Sequence, residues 1–466
     1  MLGFNLKGRS IDSKKITLYL SMAIEKGNKK TIRGWMMYDW ANSVYNLVIS
    51  SAIFPMFYKG VTENNGRIVN INGNKQVIIE AFGSEWINTS LITYVMAIGF
   101  LVVAILSPIL SGVADYIGNK KIFMRIFCYL GSFSCMALYF FNYQNIEIGF
   151  LFYLFALIGF WGSLVFYNAY LPEIAEKKVH DKISAQGFSM GYIGSVLLLL
   201  ICLVLVLNPE TFGFSGAGEA SRFGFLLTGV WWFGFSHIFF FRIKEESKMK
   251  KITKQVLSSG FKELKVVYKE FMGIEKLKRF LPAFFMISTG VQTVMLVATY
   301  FAGKEIDWAD EKSETSGLII SILLIQIVAI LGALVMSKVS QKIGNIKSLQ
   351  FIVFAWACIV IWAYFIHSPL EFYITAALVG LVMGSVQALS RSTYSKFLPE
   401  TEDTSSYFSF YDVTEKIGIV VGLFLFGFLE QVTGDMRISI VAVGIFFVIA
   451  FILLSFVPKD KAEKSL

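Results

Sequence analysis

Charged residues are scarce in this chain. Asp, Glu, Lys and Arg make up 16% of its 466 residues, whereas soluble proteins average about 25%. Apolar residues supply 55%, and 45 Phe residues help to raise the aromatic share to 16%. A soluble fold could not cover this much apolar surface, so lipid must cover it. The composition therefore excludes a string of soluble domains and indicates an integral membrane protein.

The residues that build enzyme and metal sites are also few. The chain has 3 His and 4 Cys, and the Cys residues fall inside apolar segments without Cys-x-x-Cys spacing or a neighbouring His. This pattern supports neither a zinc site nor a disulfide framework. The chain has no Walker loop and no His-Glu-x-x-His motif. We therefore expect no enzyme activity, no cofactor and no bound metal.

Apolar runs of about 20 residues, the length that spans a bilayer, recur along the whole chain. The sequence predicts an all-α integral membrane fold of twelve transmembrane helices in two pseudo-symmetric halves. The predicted spans are approximately 35–58, 88–114, 122–142, 149–172, 185–207, 223–241, 280–301, 315–337, 348–367, 371–397, 407–431 and 437–457. The predicted parts are a basic N-terminal extension (1–34), an N-terminal half (35–241), a linker (242–279), a C-terminal half (280–457) and a tail (458–466).

Lys and Arg are distributed unevenly between the loops. If the N-terminus lies in the cytoplasm, 35 of the 42 Lys and Arg residues fall in cytoplasmic segments, 12 of them in 242–279. This is the positive-inside pattern, and it predicts that both termini are cytoplasmic. It also excludes a nucleic-acid-binding surface, because the basic residues face the cytosol and the anionic lipid of the bilayer.

Three shorter segments have patterns of their own. The apolar stretch Ile16–Ile24 is too short to cross a bilayer and lies between basic flanks, which favours a helix on the membrane surface. Residues 261–271 of the linker place aromatic and aliphatic side chains at helical spacing among lysines and predict another surface helix. Asn72-Gly73 lies between two β-prone runs and predicts a hairpin.

A short internal repeat relates the two halves. Ile-Gly-Asn follows the second span at 117–119 and the eighth span at 343–345, a separation of 226 residues. Leu-Pro-Glu ends the fourth span at 171–173 and the tenth at 398–400, a separation of 227 residues. Two matches at nearly one offset, each at an equivalent helix end, indicate two six-helix halves of parallel topology, as in some secondary transporters.

Three spans carry polar stripes, whereas the third, sixth, ninth and twelfth are almost wholly apolar. Polar groups are costly in hydrocarbon unless they face protein or water, so we expect the striped spans to line a cavity. The stripes are Asp39, Asn42, Ser43, Asn46 and Ser50 on the first span, Thr289, Gln292 and Thr293 on the seventh, and Gln387, Arg391 and Tyr394 on the tenth.

Amide side chains lie near the middle of the predicted spans. An amide both donates and accepts hydrogen bonds, which suits the ammonium and carboxylate of a zwitterion, and transporters bind substrate at this depth between their halves. The alternative is that the amides hold helices together, as they commonly do in membranes. At a rise of about 1.5 Å per residue, the amides near the midplane are Asn46, Gln292, Gln326 and Gln387.

The ionisable side chains inside the spans lie closer to the cytoplasmic side. We expect Asp39 of the N-terminal half to pair with Arg391 or Lys416 of the C-terminal half and to form a cytoplasmic gate. The alternatives are a static structural ion pair, or charges that extend to the interface. Asp39 and Asp412 are the candidates for proton coupling, because both have intramembrane positions and polar neighbours.

Several motifs together resemble a known transporter family. The loop Gly112-x-x-Asp115-x-x-Gly118-x-Lys120-Lys121 resembles the cytoplasmic signature of the major facilitator superfamily. The likeness to its vacuole-effluxer branch, the autophagy-related permeases, covers about residues 33–457 and implies the major facilitator fold and outward transport of amino acids. The segments that resemble this branch are Tyr38–Ser43, Phe166–Glu173, Gly290–Thr293, Val386–Ser392 and Phe408–Asp412.

The resemblance also bears on the candidate residues. Asp115 lies at a helix C-terminus, which disfavours a carboxylate, so we expect a latch with Lys120, Lys121 or the N-terminus of the eleventh helix. Thr289 stands where the family pattern has an acidic residue, which puts a coupling role there in doubt. The full set of cavity candidates is Asn42, Asn46, Tyr167, Asn168, Gln292, Thr293, Gln326 and Gln387.

Two classes of function remain. The first is a secondary active transporter that exports small neutral zwitterionic solutes, amino acids above all. The second is a sensor or scaffold with a transporter fold but without net transport; a transporter of another small solute is a further alternative. We expect a monomer in a bacterial plasma membrane rather than a vacuolar one. Its expected partners are a small-molecule substrate and the lipid bilayer, with protons as the candidate coupling ion.

Overall fold

The structure is a computed structural model that describes residues 25–71, 74–243, 254–433 and 435–458. The predicted surface helix at Ile16–Ile24 lies outside the described residues. The described chain is almost entirely helical. The helices are α1 (Lys29–Val44), α2 (Ile53–Asn65), α3 (Asn88–Ile117), α4 (Lys120–Ala137), α5 (Ile146–Ala169), α6 (His180–Leu207), α7 (Ala217–Arg242), α8 (Lys254–Gly273), α9 (Glu275–Glu305), α10 (Glu311–Ile343), α11 (Asn345–Ala363), α12 (Pro369–Phe397), α13 (Thr404–Thr433) and α14 (Met436–Ser455).

Every predicted span corresponds to a helical segment. Within the described ranges, ten helices are long and apolar enough to cross a membrane. The other two spans are the segment from α1 to α2 and the helix α13, both of which carry charged residues of the site described below. The all-helical integral membrane fold predicted from the sequence is confirmed.

Buried apolar side chains gather in two large clusters. One is built from residues between 35 and 243, with a single contribution from Ile419. The other is built from residues between 267 and 457, with contributions from Ala169 and Tyr192. Helix α6 packs against α10 and α12, and α13 packs against α3. The two clusters therefore meet along helices that carry the polar and charged residues of interest.

The first span is not one regular helix. Asn28 caps α1, because its Oδ1 accepts hydrogen bonds from Lys30 N at 2.9 Å and Thr31 N at 3.3 Å. A π-helical segment, Tyr45–Ala52, then joins α1 to α2. It contains Asn46, whose side chain is exposed. Such π segments are rare and often mark functional sites, and the sequence pattern predicted only a continuous helix here.

A three-stranded antiparallel sheet lies between the first two spans. The predicted hairpin is confirmed, since β1 (Arg67–Ile71) pairs with β2 (Asn74–Ala81) and residues 72–73 fall outside the description. A third strand, β3 (Ser84–Ile87), extends the sheet. Phe82 N donates to Glu147 Oε1 of α5 at 3.1 Å and ties the sheet to the helices. We call this end of the bundle the sheet face.

The opposite end carries the repeated Ile-Gly-Asn loops, and we call it the signature face. Gly118 has φ of 71° and Gly344 has φ of 87°, a backbone region that favours glycine. The Gly118 N–H closes α3 by donating to the Ala114 carbonyl at 2.9 Å. The two repeat glycines thus share a positive φ, but their ψ angles differ, 34° at Gly118 and 156° at Gly344. Helix α8 of the linker packs near this face, where Phe271 is buried against Phe410.

The predicted orientation can be tested at two exposed positions on opposite faces, Arg67 in β1 and Lys178 before α6. Replacing Cys358 with Ser removes the exposed native thiol. In that background, a cysteine at position 67 should react with a membrane-impermeant maleimide in intact cells. A cysteine at position 178 should react only after permeabilisation, because the positive-inside pattern predicts that the basic loops face the cytoplasm. The reverse labelling pattern would place the signature face outside.

Candidate functional site

The centre of the site is the guanidinium of Arg391 on α12. Its Nη2 lies 3.3 Å from Asp39 Oδ2 on α1, and the two side chains are only 3% and 5% exposed. Arg391 also donates to Ser184 of α6, from Nε to Oγ at 2.9 Å and from Nη2 to the carbonyl at 3.0 Å. Nη1 donates to Asn168 Oδ1 on α5 at 3.4 Å. One arginine of the C-terminal half is thus bound by three helices of the N-terminal half.

Three aromatic rings surround the same guanidinium. Arg391 Cζ lies 4.0 Å from the ring centroid of Phe188, 4.8 Å from Trp35 and 5.5 Å from Tyr167. Trp35 stacks on Tyr167 with 4.5 Å between centroids. The Tyr167 hydroxyl donates to Asp39 Oδ2 at 2.7 Å. This bond orients the carboxylate towards the arginine.

Helix α6 approaches the ion pair closely because residue 187 is glycine. A Cβ at Gly187 would lie 2.5 Å from Asp39 Oδ2 and 3.1 Å from Arg391 Nη2. Gly191 and Gly194, one and two turns further, allow equally close contact with α1. The glycine spacing of the fifth span therefore serves close helix packing.

The same segment contains Gly187-x-Ser189-x-Gly191, the spacing of a hydrolase nucleophile elbow. That motif needs a sharp turn between a strand and a helix. Here the residues lie inside continuous α6, and the Ser189 hydroxyl donates to the Ala185 carbonyl at 2.8 Å. The spacing has no catalytic geometry in this fold.

A second charged group lies deeper, around Lys416 on α13. Its ammonium donates to Asp412 Oδ1 at 2.7 Å and to Glu415 Oε2 at 2.9 Å. It also lies 3.7 Å from the ring centroid of Trp161 on α5. Asp412 Oδ2 accepts from Ser107 Oγ on α3 at 3.0 Å. This group, like Arg391, joins the two halves.

Of the two partners predicted for Asp39, the structure brings Arg391 into contact. Lys416 pairs instead with carboxylates of its own helix. Glu415, which is not among the predicted site residues, also reaches the midplane amide Gln292, whose Nε2 donates to Glu415 Oε1 at 3.2 Å. The ionisable and amide sets are therefore connected.

The remaining cavity candidates do not form one cluster. Tyr167 and Asn168 lie against the ion pair rather than with the midplane amides, because the last turn of α5 faces α1 and α12. Gln387 accepts a hydrogen bond from the Tyr192 hydroxyl, and Gln326 is half-buried on α10. Asn42 is buried, and its Nδ2 has no hydrogen-bond partner among the described residues. Thr293 is also buried, and its hydroxyl donates to the Thr289 carbonyl at 2.6 Å.

Asp115 of the signature loop lies across the interface from the first turn of α13. It accepts hydrogen bonds from Ser406 N at 2.6 Å and Ser405 N at 3.3 Å. The N-terminus of α13, one of the three partners considered for the predicted latch, therefore bonds to Asp115, as expected for a carboxylate there.

The two lysines of the loop have different partners. Lys120 donates to Thr404 Oγ1 at 2.7 Å and pairs with Glu173, so it too joins the halves. Lys121 donates to the Ile243 carbonyl. Gly112 is buried within α3.

A second carboxylate, besides Asp115, accepts hydrogen bonds from the other half of the chain, and this contact was not predicted. Asp181, in the first turn of α6, is fully buried and accepts from Asn345 Nδ2 at 2.8 Å and Ser340 Oγ at 3.1 Å. It also pairs with Lys396. An acidic residue in a first turn normally indicates capping, which gives no hint of a distant partner. Together with Asp115, this contact joins the two halves at the signature face.

One protein-family model matches almost the whole chain. The model described as "Vacuole effluxer Atg22 like" matches residues 27–466. The chain belongs to this family. The resemblance stated from the sequence motifs is therefore confirmed.

The chain is similar to proteins of Bacillus subtilis and of fungi. The chain is 31% identical over 433 residues to the uncharacterized MFS-type transporter YxiO of Bacillus subtilis (strain 168). The match covers 92% of this chain and 95% of that protein. It is 24% identical over 466 residues to autophagy-related protein 22 of Eremothecium gossypii, and this match covers 90% of this chain and 89% of that protein. The vacuole-effluxer-like chain is thus a major facilitator transporter by sequence.

Solved structures agree on the fold. A crystal structure of the E. coli fucose:proton symporter FucP matches with a TM-score of 0.64 at 13% identity, over 92% of this chain and 98% of that chain. The human organic anion transporter MFSD10 (TETRAN) matches with a TM-score of 0.61 at 11% identity, over 91% of this chain and 98% of that chain. At these identities the likeness shows the major facilitator fold alone.

Proposed function

We propose that this chain is a secondary active transporter that exports small neutral zwitterions, amino acids above all, by alternating access. The observation that carries the proposal is the buried Asp39–Arg391 pair, because it joins the two halves of the chain, as a gate of alternating access must do. Family membership supports transport as such. The family description names efflux from a vacuole, and export across a plasma membrane is part of our proposal.

Alternating access requires contacts that close one side and can be exchanged for water when the halves separate. The contacts at the signature face have this character, since ion pairs and helix-terminus hydrogen bonds join the halves there. The present conformation is closed at that face. In the orientation that we propose, with both termini cytoplasmic and the protein in a bacterial plasma membrane, it is closed to the cytoplasm.

The amide groups support a zwitterionic substrate. Asn46 is exposed on the π segment, and Gln292 and Gln326 are half-buried on α9 and α10. Amides can bind an ammonium and a carboxylate without a fixed charge of their own. The fold does not decide the substrate, because structural neighbours of this chain carry a sugar or organic anions by their names.

Purified protein in liposomes should transport neutral amino acids such as leucine and should reject lysine, arginine and glutamate. An additional charge on the substrate would need its own buried partner in the cavity. Gln292→Leu should lower leucine flux about tenfold, the effect of about 1.4 kcal/mol. Gln350→Leu is the matched control, because Gln350 bonds to Ser455 away from the interface of the halves.

Leucine flux into liposomes also distinguishes a transporter from a sensor or scaffold with the same fold. A sensor or scaffold with this fold would bind leucine, seen as a rise in thermal stability, and would move none of it across the bilayer. Strong transport of lysine or glutamate would contradict the neutral-substrate proposal. An imposed pH gradient that accelerates leucine flux would identify protons as the coupling ion.

A further inference from the structure

The N-terminal half contains a cation site that is filled by a side chain of the C-terminal half. Every group that contacts the Arg391 guanidinium in the described contacts belongs to α1, α5 or α6. We call this site the cation cage. It consists of Trp35, Asp39, Tyr167, Asn168, Ser184 and Phe188.

The polar atoms of the cage are acceptors. Asp39 supplies a carboxylate oxygen, Ser184 its carbonyl and hydroxyl oxygens, and Asn168 its amide oxygen. The walls are three aromatic rings with centroids 4.0 to 5.5 Å from Arg391 Cζ. Aromatic faces within about 6 Å attract cations, and such cages recognise ammonium groups. The cage thus has the chemistry of an ammonium site.

Part of the cage is held by the N-terminal half alone, although the Ser184 hydroxyl also donates to the Ala388 carbonyl of α12 at 2.8 Å. The Tyr167 hydroxyl holds the Asp39 carboxylate at 2.7 Å, and Trp35 Nε1 donates to the Tyr167 carbonyl at 3.0 Å. Trp35 and Tyr167 are fully buried within the N-terminal cluster. The N-terminal half therefore holds Trp35, Tyr167 and the Asp39 carboxylate itself, whereas Phe188 also packs against residues of the C-terminal half.

Separation of the halves at the signature face removes Arg391, which belongs to α12. A buried carboxylate without a counter-charge is strongly unfavourable, so another cation or water must replace the guanidinium. A small ammonium group fits the same acceptors and the same rings.

We propose that the cation cage binds the ammonium group of a small solute when the signature face is open, and that Arg391 competes with this ammonium for the site. The inference rests on the proposed alternating access and adds a binding group for the substrate. Closure then couples directly to release, because Arg391 and the ammonium cannot occupy the cage together.

The first test vacates the cage and needs no transport. Arg391→Ala protein, purified in detergent, is titrated with methylammonium chloride while its unfolding temperature is measured. Binding to the folded state should give a saturable rise of about 2 °C or more. Wild-type protein should show less than half of this rise, because Arg391 fills the site.

Controls separate the cage from general salt effects. Sodium chloride at equal ionic strength and uncharged acetamide should leave the Arg391→Ala protein unchanged. Arg391→Ala combined with Asp39→Asn should lose the response, and Arg391→Ala combined with Phe188→Leu should weaken it. An equal response in all these proteins, or none in Arg391→Ala, would overturn the proposal.

A second measurement uses the intact cage, in case Arg391→Ala does not fold. Spin labels are placed at exposed positions 30 and 400, near the signature-face ends of α1 and α12, with Arg391 retained. Saturating methylammonium should increase the population with separated labels at least twofold, and Phe188→Leu should reduce that increase. No change in the distance distribution would also overturn the proposal.

Two sources of the ammonium are then distinguished with the same labels. Leucine carries its ammonium beside a carboxylate, whereas cadaverine carries ammonium groups alone. A response to leucine supports an amino-acid ligand in the cage, and a response to cadaverine alone supports an amine ligand. A cage that responds while leucine flux is absent would preserve this inference and overturn the proposed function.

Discussion

Arg391→Gln is expected to lower the transport rate at least tenfold and to shift the protein towards the conformation open at the signature face. The substitution leaves the Asp39 carboxylate buried, 5% exposed, without its arginine. Removing one partner of a buried ion pair typically costs about 3–5 kcal/mol. The closed conformation carries most of this cost, since water reaches Asp39 when the halves separate. About 1.4 kcal/mol already changes a population ratio tenfold.

Asp39→Asn should have a smaller effect in the same direction. Arg391 then keeps its hydrogen bonds to Ser184 and Asn168 and its contact with the rings. The Asp39→Asn/Arg391→Gln double variant should lose less transport activity than the two single losses added together. It leaves no buried charge without its partner. Labels at positions 30 and 400 report the opening, and leucine flux reports the turnover.

Arg437→Gln is the matched control. Arg437 pairs with Glu305 at 2.7 Å, and both residues lie in the C-terminal half, 12% and 18% exposed. Its loss should lower thermal stability and leave the label distances unchanged. If Arg391→Gln and Asp39→Asn also leave distances and flux unchanged, the pair is structural and the gate is wrong.

The sequence predicts the fold well because the bilayer imposes strong rules. A span needs about 20 apolar residues and must satisfy its backbone within the helix, so composition alone locates the twelve spans. It does not locate the π segment Tyr45–Ala52, since the residues of a π segment have no distinct hydropathy. Nor does it predict β3, which is only four residues long.

The site is only partly predictable, for a related reason. Asp39 and Arg391 are charges in apolar spans, and such charges need partners, so their pairing follows from depth and symmetry. Phe188 and Gly187 carry no such signal, because a ring or a glycine in an apolar helix ordinarily serves packing. Asp181 lies at a helix end, where a carboxylate is already favoured without any partner.

Gly187→Ala should disrupt the ion pair while leaving both charges in place. The added methyl carbon would lie 2.5 Å from Asp39 Oδ2 and 3.0 Å from Trp35 Cζ3, so the carboxylate or the ring must move. Overpacking of this kind typically costs about 1–3 kcal/mol. The added carbon would also lie 3.1 Å from Arg391 Nη2, and this part of the cost is relieved in the conformation open at the signature face, because Arg391 has then left. We expect a fivefold or larger gain in the separated population, as ~1 kcal/mol implies.

Gly234→Ala provides the matched comparison on α7, because a Cβ at Gly234 meets nothing within 4 Å. That substitution should be neutral or stabilise the helix by about 0.5–1 kcal/mol, with label distances and leucine flux as in the wild type. Gly187→Ala should change both, and its effect should vanish in the Asp39→Asn/Arg391→Gln background, where no pair remains to be disrupted. A Gly187→Ala protein that unfolds at a lower temperature but keeps wild-type distances would show that the glycine serves helix packing alone. If the loss of closure instead depends on the Asp39–Arg391 pair, then the absence of a side chain at Gly187 is what makes room for the ion pair between the two halves.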